Sequence, residues 1–174
     1  MTAGNASRIP AALRSRLAKV TGASAIVIAG VMASYFEGRV HTVYLDPVGI
    51  PTVCDGVTGP DVVPGKTYTD AECDALLHKH LRVAEQGARS VLVHYPAYNK
   101  WRQASLIDFT YNAGQANLAS STMARRFNAG DAVGGCTELV KWVKARQKGI
   151  LVTLKGLVTR REAEMALCLE GFTP

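Results

Sequence analysis

Residues 37–56 read Glu37-Gly-Arg-Val-His-Thr-Val-Tyr-Leu-Asp46-Pro-Val-Gly-Ile-Pro-Thr52-Val-Cys-Asp-Gly56. Glu37 closes a run without charge, residues 20–36, and Asp46 and Thr52 follow at intervals of nine and six. Gly49, Pro51 and Gly56 are turn residues, so the spacing predicts a helix that ends at one acid and a hairpin that carries a second acid and a hydroxyl. Two carboxylates on a short, turning segment suit glycoside hydrolysis, where one protonates the leaving oxygen and the other serves water or the anomeric carbon. Glu37, beside Phe36, is the candidate general acid; Asp46 is the candidate base or electrostatic partner; Thr52 can hold a water by hydrogen bonding. A surface Glu and a turn Asp are the plain alternative, and the spacing alone does not separate the two.

Three further words stand downstream, at 65–73 (Gly65-Lys-Thr-Tyr-Thr-Asp-Ala-Glu-Cys73), 108–114 (Asp108-Phe-Thr-Tyr-Asn-Ala-Gly114) and 156–162 (Gly156-Leu-Val-Thr-Arg-Arg-Glu162). With Glu-x8-Asp-x5-Thr they occur in the order found in the phage-type lysozymes, glycoside hydrolase family 24, which the chain resembles from about Phe36 to Phe172. The resemblance implies an α+β, mainly helical, lysozyme-like fold with a small β-hairpin lobe and a helical lobe. It also implies a muramidase acting on the β-1,4 bond between N-acetylmuramic acid and N-acetylglucosamine, with Glu37, Asp46 and Thr52 at the catalytic positions. Asn112 matches a residue that borders the cleft, against a bare C-cap role. Arg161 is the best match for the arginine that pairs with the catalytic glutamate, Arg160 being the alternative. No cofactor is implied.

Size and charge narrow the class. The 174 residues carry a formal charge of +6, with Arg8, Arg14, Arg16 and Lys19 all ahead of Glu37 and no acid among them. Residues 37–174 then hold 16 basic against 14 acidic residues, so the excess sits in a tail and gives no reason to expect nucleic acid as a partner. The apolar content supports one globular domain plus a tail, divided as 1–36 and 37–174. A monomer is expected.

The run at 20–36 has 17 residues, at the lower limit of the ~17–25 that span a bilayer. Nine of them are Gly, Ala, Ser or Thr, so it is only weakly hydrophobic. It reads as a buried core helix, as a cleavable signal peptide ending near Val31-Met-Ala33, or as the signal-anchor-release segment of certain phage endolysins, which it resembles. The last reading implies export by the host secretion machinery, a tether in the inner membrane facing the periplasm, and later release to the periplasm. Cleavage at Ala33 would instead remove the helix that holds Glu37. Two rival functions stay open, a lytic transglycosylase and a membrane-tethered peptidoglycan-binding module.

Cys54, Cys73, Cys136 and Cys168 lack metal-ligand spacing. In the cytosol they would be buried thiols; on an exported chain an even count favours two disulfides. Nearness in sequence favours Cys54 with Cys73 and Cys136 with Cys168, out of three pairings. Thr69-x-x-Glu72 and Thr159-x-x-Glu162 read as capping boxes opening helices. Pro10 should interrupt any early helix, His78 and His80 should lie on a solvated face, and residues 101–111 read as the central helix. Residues 118–128 and 131–144 read as two more helices, Arg125 and Arg126 as a solvated face, and Trp142 as core in preference to a sugar platform. The apolar stretch 150–154 has no role in this reading.

Overall fold

The computed structural model describes residues 8–46, 49–147 and 149–172; residues 1–7 of the expected basic tail lie outside the described residues. Helix α1 (Ala11–Ala18) begins directly after Pro10, which holds an extended conformation while its carbonyl accepts from Arg14. The helix does not run back through Pro10, as expected, and it starts directly after it because proline's missing N–H has no helical partner to lose there and its φ is preset. Leu13 and Leu17, one turn apart, are fully buried. At roughly 1.5–3 kcal/mol each, that burial makes α1 part of the core.

Helix α2 (Ala25–Glu37) buries Ala25, Ile28, Ala29, Met32 and Ala33, the i, i+3/i+4 face of the uncharged run. Its 13 residues span about 20 Å at 1.5 Å per residue, short of a ~30 Å hydrocarbon layer. Among the described residues no helix is long and apolar enough to cross a membrane. In this conformation the stretch is therefore a core helix, the first of the three readings.

Gly38, at φ 72°, ends α2 and turns the chain into a three-stranded antiparallel sheet: β1 (Val40–Leu45), β2 (Pro51–Cys54) and β3 (Val57–Thr58). Tyr44 sits opposite Thr52, and Thr52 opposite Thr58. This lobe has its own small core of Val53, Cys54, Val57, Tyr68 and Cys73. The Cys54–Cys73 disulfide, with Cα atoms 5.2 Å apart, fastens the sheet to the next helix.

That helix, α3 (Asp70–Val91), opens with the expected capping box. The Thr69 hydroxyl accepts from the Glu72 N–H at 3.3 Å and Glu72 Oε2 accepts from the Thr69 N–H at 2.8 Å. Lys66, 2.7 Å away, and then the Thr69 N–H hold the Glu72 carboxyl down to about 2 from the ordinary 4.5. A carboxylate with a lowered folded-state pKa contributes stability that is full above its unfolded value and lost as pH falls through the folded one. The difference in melting temperature between wild type and Glu72→Gln is therefore expected to be constant above pH 4.5 and to shrink between about 4.5 and 2. A difference that held at full size down to pH 2 would refute the ionised Glu72 carboxylate, held by Lys66 and Thr69, as the source. Leu77, Leu81, Ala84 and Ala88 carry α3 into the main core.

Asn99 caps α4 (Lys100–Ala113) by accepting from the Trp101 and Arg102 N–H groups, both at 3.0 Å. Residues 104–110 are buried without a break, as a central helix requires. The expected helix over 118–128 is two, α5 (Gln115–Ser120) and α6 (Thr122–Asn128), because the Ser121 hydroxyl accepts from the Ala124 N–H at 2.9 Å and caps a new start. The expected helix over 131–144 ends early: α7 (Ala132–Thr137) passes into a 3-10 turn at Leu139–Lys141. A hairpin of β4 (Lys144–Gln147) and β5 (Ile150–Thr153) follows, paired over four rungs, with Gly149 at φ 82° in the turn. The apolar stretch that had no role in the sequence is thus mostly a β-strand.

Helix α8 (Lys155–Glu170) starts four residues ahead of the second expected capping box. Thr159 lies inside it and donates to the Lys155 carbonyl at 3.2 Å, so that box does not form. The Leu154 N–H, bonded to the Val143 carbonyl at 2.9 Å, hands the chain straight from β5 into the helix. Cys168 joins Cys136 across a Cα separation of 5.6 Å, so both disulfides have the expected pairing.

Candidate active site

Glu37 is the last residue of α2, and α2 sets its position through the core. Its Oε1 accepts from Arg160 Nη1 and, at 3.3 Å, from Asn112 Nδ2. Its Oε2 faces Gly56, where an added Cβ would stand 3.2 Å away on a backbone of φ 87°. Only glycine meets both conditions, so the turn between β2 and β3 can close over the acid without touching it. The side chain is 26% exposed, open enough to meet a ligand while held from behind.

Arg160 is almost fully buried and divides its fork. Nε and Nη2 donate to the two oxygens of Asp108 at 2.9 and 2.8 Å, leaving Nη1 for Glu37. Burial opposes its charge, but Asp108, then Glu164 and Glu37, together offset that and raise the guanidinium above its ordinary range, so it is a permanent cation. The phenyl ring of Phe36 lies 5.5 Å from its carbon. Arg161, next in the helix and about 100° away around its axis, turns to Glu164 at 2.6 and 2.7 Å and to Asn112 Oδ1. The arginine paired with Glu37 is therefore Arg160, and the assignment to Arg161 is corrected: Arg161 connects to the acid through Asn112 on one side and through Glu164 and Arg160 on the other. Burial pushes the Glu164 carboxyl well up; Arg161 opposes this and Asp108 adds to it. Glu37, Arg160, Asp108, Glu164, Arg161 and Asn112 form one closed polar ring joining α2, α4 and α8.

Asp46 and Thr52 are joined through one backbone unit. Asp46 Oδ1 accepts the Ile50 N–H at 2.8 Å, while the Ile50 carbonyl accepts from the Asp46 N–H at 3.0 Å and the Thr52 hydroxyl at 2.9 Å. Tyr44 stands across from Thr52, so the two side chains share a face. Burial, then the negative charges of Glu37 and Asp46, push the Tyr44 phenol up. One phenol thus feels both carboxylates and shares a sheet face with Thr52, while neither Asp46 nor Thr52 is among the residues lining the cavity beside Glu37.

A cavity of about 450 Å³ opens beside Glu37, lined by Gly56, Thr58, His80, Tyr111, Asn112 and Gln115 among others. Asn112 is inside α4 and faces this cleft, so it is not a cap. His80 was expected on a solvated face; its side chain is 27% exposed, lines the cavity and meets Asp61 at 2.9 Å. The Tyr111 hydroxyl donates to the Asp55 carbonyl at 2.8 Å and is pushed up by burial and then by Glu37. Asp108 was missed, although a lone acid in the apolar run 104–110 was the available signal. Trp142 packs edge-on against Phe109 at 5.4 Å, as core, and Arg126 is tied to Asp131 at 2.8 Å.

This fold is that of a lysozyme. The chain belongs to the phage lysozyme family, whose family model matches residues 34–164, and it is a glycoside hydrolase of the lysozyme type. It is 42% identical over 169 residues to the SAR-endolysin of Bacteriophage PS119, covering 93% of this chain and 96% of the relative. Among solved structures it resembles the active form of the P1 phage endolysin Lyz, with a TM-score of 0.75 at 24% identity, over 94% of this chain and 96% of that one. Against the secreted inactive form of P1 Lyz the TM-score is 0.50 at 25% identity, over 65% and 76%.

Proposed function

We propose that the chain hydrolyses the β-1,4 bond between N-acetylmuramic acid and N-acetylglucosamine in bacterial peptidoglycan, lysing the host, and that it is inactive while tethered to the inner membrane. The observation that carries the reading is the clamped Glu37 carboxyl at the mouth of the cavity, and it is supported by the Asp46–Thr52 unit that Ile50 holds together in the adjoining sheet. Glu37 gives its proton to the leaving oxygen; Asp46 stabilises developing positive charge or activates water; Thr52 positions that water. Asn112 borders the cleft and braces the acid.

The tether follows from α2. Residues 20–36 enter the bilayer after export by the host secretion machinery, and so long as they stay there Ile28, Ala29, Met32 and Ala33 cannot fill the core. Glu37 then lacks its support, and residues 37–174 form an unassembled site. Release to the periplasm lets the segment fold as α2. Support comes from the small-residue content of the run and from the SAR-endolysin relative.

One experiment tests both halves. Protein is taken separately from the membrane fraction and the periplasm, weighed intact by mass spectrometry, and applied to purified peptidoglycan. Both samples are expected to keep residues 1–36, with products ending in reducing N-acetylmuramic acid formed by the periplasmic sample alone. Anhydro-ring products would establish a transglycosylase, binding without products would establish a binding module, and a periplasmic mass lacking residues 1–33 would end the anchor reading.

A further inference from the structure

Among the described residues the β4–β5 hairpin has no part in the catalytic ring or the cavity, yet it lies within a long stretch whose charges are all of one sign. Residues 139–161 contain seven Lys and Arg and no acid, so the remainder of residues 37–174 is net −5. The basic excess is therefore not confined to the N-terminal tail, contrary to the expectation from summed charge. Arg160 and Arg161 are consumed by the buried ring. Lys144, Arg146 and Lys155 are exposed and, among the described residues, form no salt bridge.

Two large aliphatic side chains stand at the end of this basic element. Ile150 is 68% and Leu151 57% exposed. The pairing fixes the faces: Lys144, Arg146, Leu151 and Thr153 share one face, while Gln147, Ile150 and the half-buried Ala145 and Val152 share the other, so the two aliphatics flank the tip and Leu151 stands with the cations. A strand pair that shows aliphatics at its tip and cations along one flank matches a surface with anionic headgroups over hydrocarbon. A glycan partner would call for an aromatic platform, and Trp142 is packed on Phe109. A second copy of the chain would set like charges against each other at the same tip.

We propose that the β4–β5 hairpin is a docking element for anionic phospholipid, with Ile150 and Leu151 entering the headgroup boundary and Lys144 and Arg146 meeting phosphates. This docking belongs to the folded enzyme and does not involve residues 20–36.

The test measures sedimentation of the full chain with vesicles of mixed phosphatidylglycerol and phosphatidylcholine, and with pure phosphatidylcholine. Every protein compared retains residues 20–36, so differences between variants isolate the hairpin. Wild type is expected to bind the mixed vesicles at least about tenfold more tightly, at roughly fivefold per cation, and to lose this as salt is raised. A Lys144→Gln, Arg146→Gln double variant and an Ile150→Ser, Leu151→Ser double variant should each lose that preference by about tenfold or more. Turnover of soluble peptidoglycan fragments should match wild type in both, which separates lost docking from lost folding. Unchanged vesicle affinity in either double variant overturns the proposal; loss in the charge variant alone shows a polyanion site and also overturns it.

Discussion

Glu37→Gln is expected to lower turnover of purified peptidoglycan by about three orders of magnitude, the middle of the ~10²–10⁴ range for general acid–base groups. Glutamine keeps the shape and an oxygen for Arg160 Nη1 and Asn112 Nδ2, but it has no proton to give the leaving sugar. The loss should therefore fall on kcat with KM little changed, since a group that acts only in the transition state adds little to ground-state binding. Melting temperature should move little, because Glu37 is 26% exposed and Arg160 keeps both bonds to Asp108. A Glu37→Gln enzyme that retained a tenth of wild-type turnover would remove Glu37 from the role of acid.

Arg160→Ala is expected to have the largest combined effect on stability and activity. Asp108 and Glu164 are both 0% exposed, and deleting their shared cation leaves buried charge without its partner, at a cost of about 3–5 kcal/mol. For a domain of this size that lowers the melting temperature by about 10 °C. Glu37 also loses its strongest fixed donor, so turnover per folded molecule should drop by roughly tenfold or more as the carboxyl leaves its position. Arg161→Met supplies the contrast. It too should melt early, because Glu164 loses two bonds, but Glu37 stays on Arg160, so turnover per folded molecule should be closer to wild type. Equal turnover losses in the two variants would show that the ring supports stability alone.

That contrast marks where the sequence stops being legible. Neighbouring arginines on a helix point about 100° apart, and which one meets the acid depends on where the helix begins. Thr159-x-x-Glu162 has the letters of a capping box, yet the start is set four residues earlier by the chain leaving β5. A tertiary handover outranked a local signal there, whereas at Ser121 a local cap that the apolar pattern had hidden divided one expected helix in two. Where local chemistry agreed with the packing, the reading held: the Thr69–Glu72 box, the central helix, both disulfide pairings, and the turn-rich stretch that becomes the small lobe. His80 and Asp108 stayed hidden because their roles depend on elements far away in sequence, Asp61 and Arg160. The hairpin was obscured for another reason: a net charge summed over residues 37–174 cancels a basic strand pair against acids elsewhere.

The row Ala25, Ala29 and Ala33 lies flush in the interior of α2, and a Cβ at Gly30 would already touch Leu81 Cδ1 at 3.5 Å. Larger aliphatics at these sites would collide with neighbouring helices, because a close-packed interior has no spare volume. Under the proposed tether the same replacements would also deepen the grip of lipid on the segment. Lysis timing and the seating of a catalytic helix are thus governed by the same small side chains, so drift toward bulk would delay escape and spoil the enzyme that escapes.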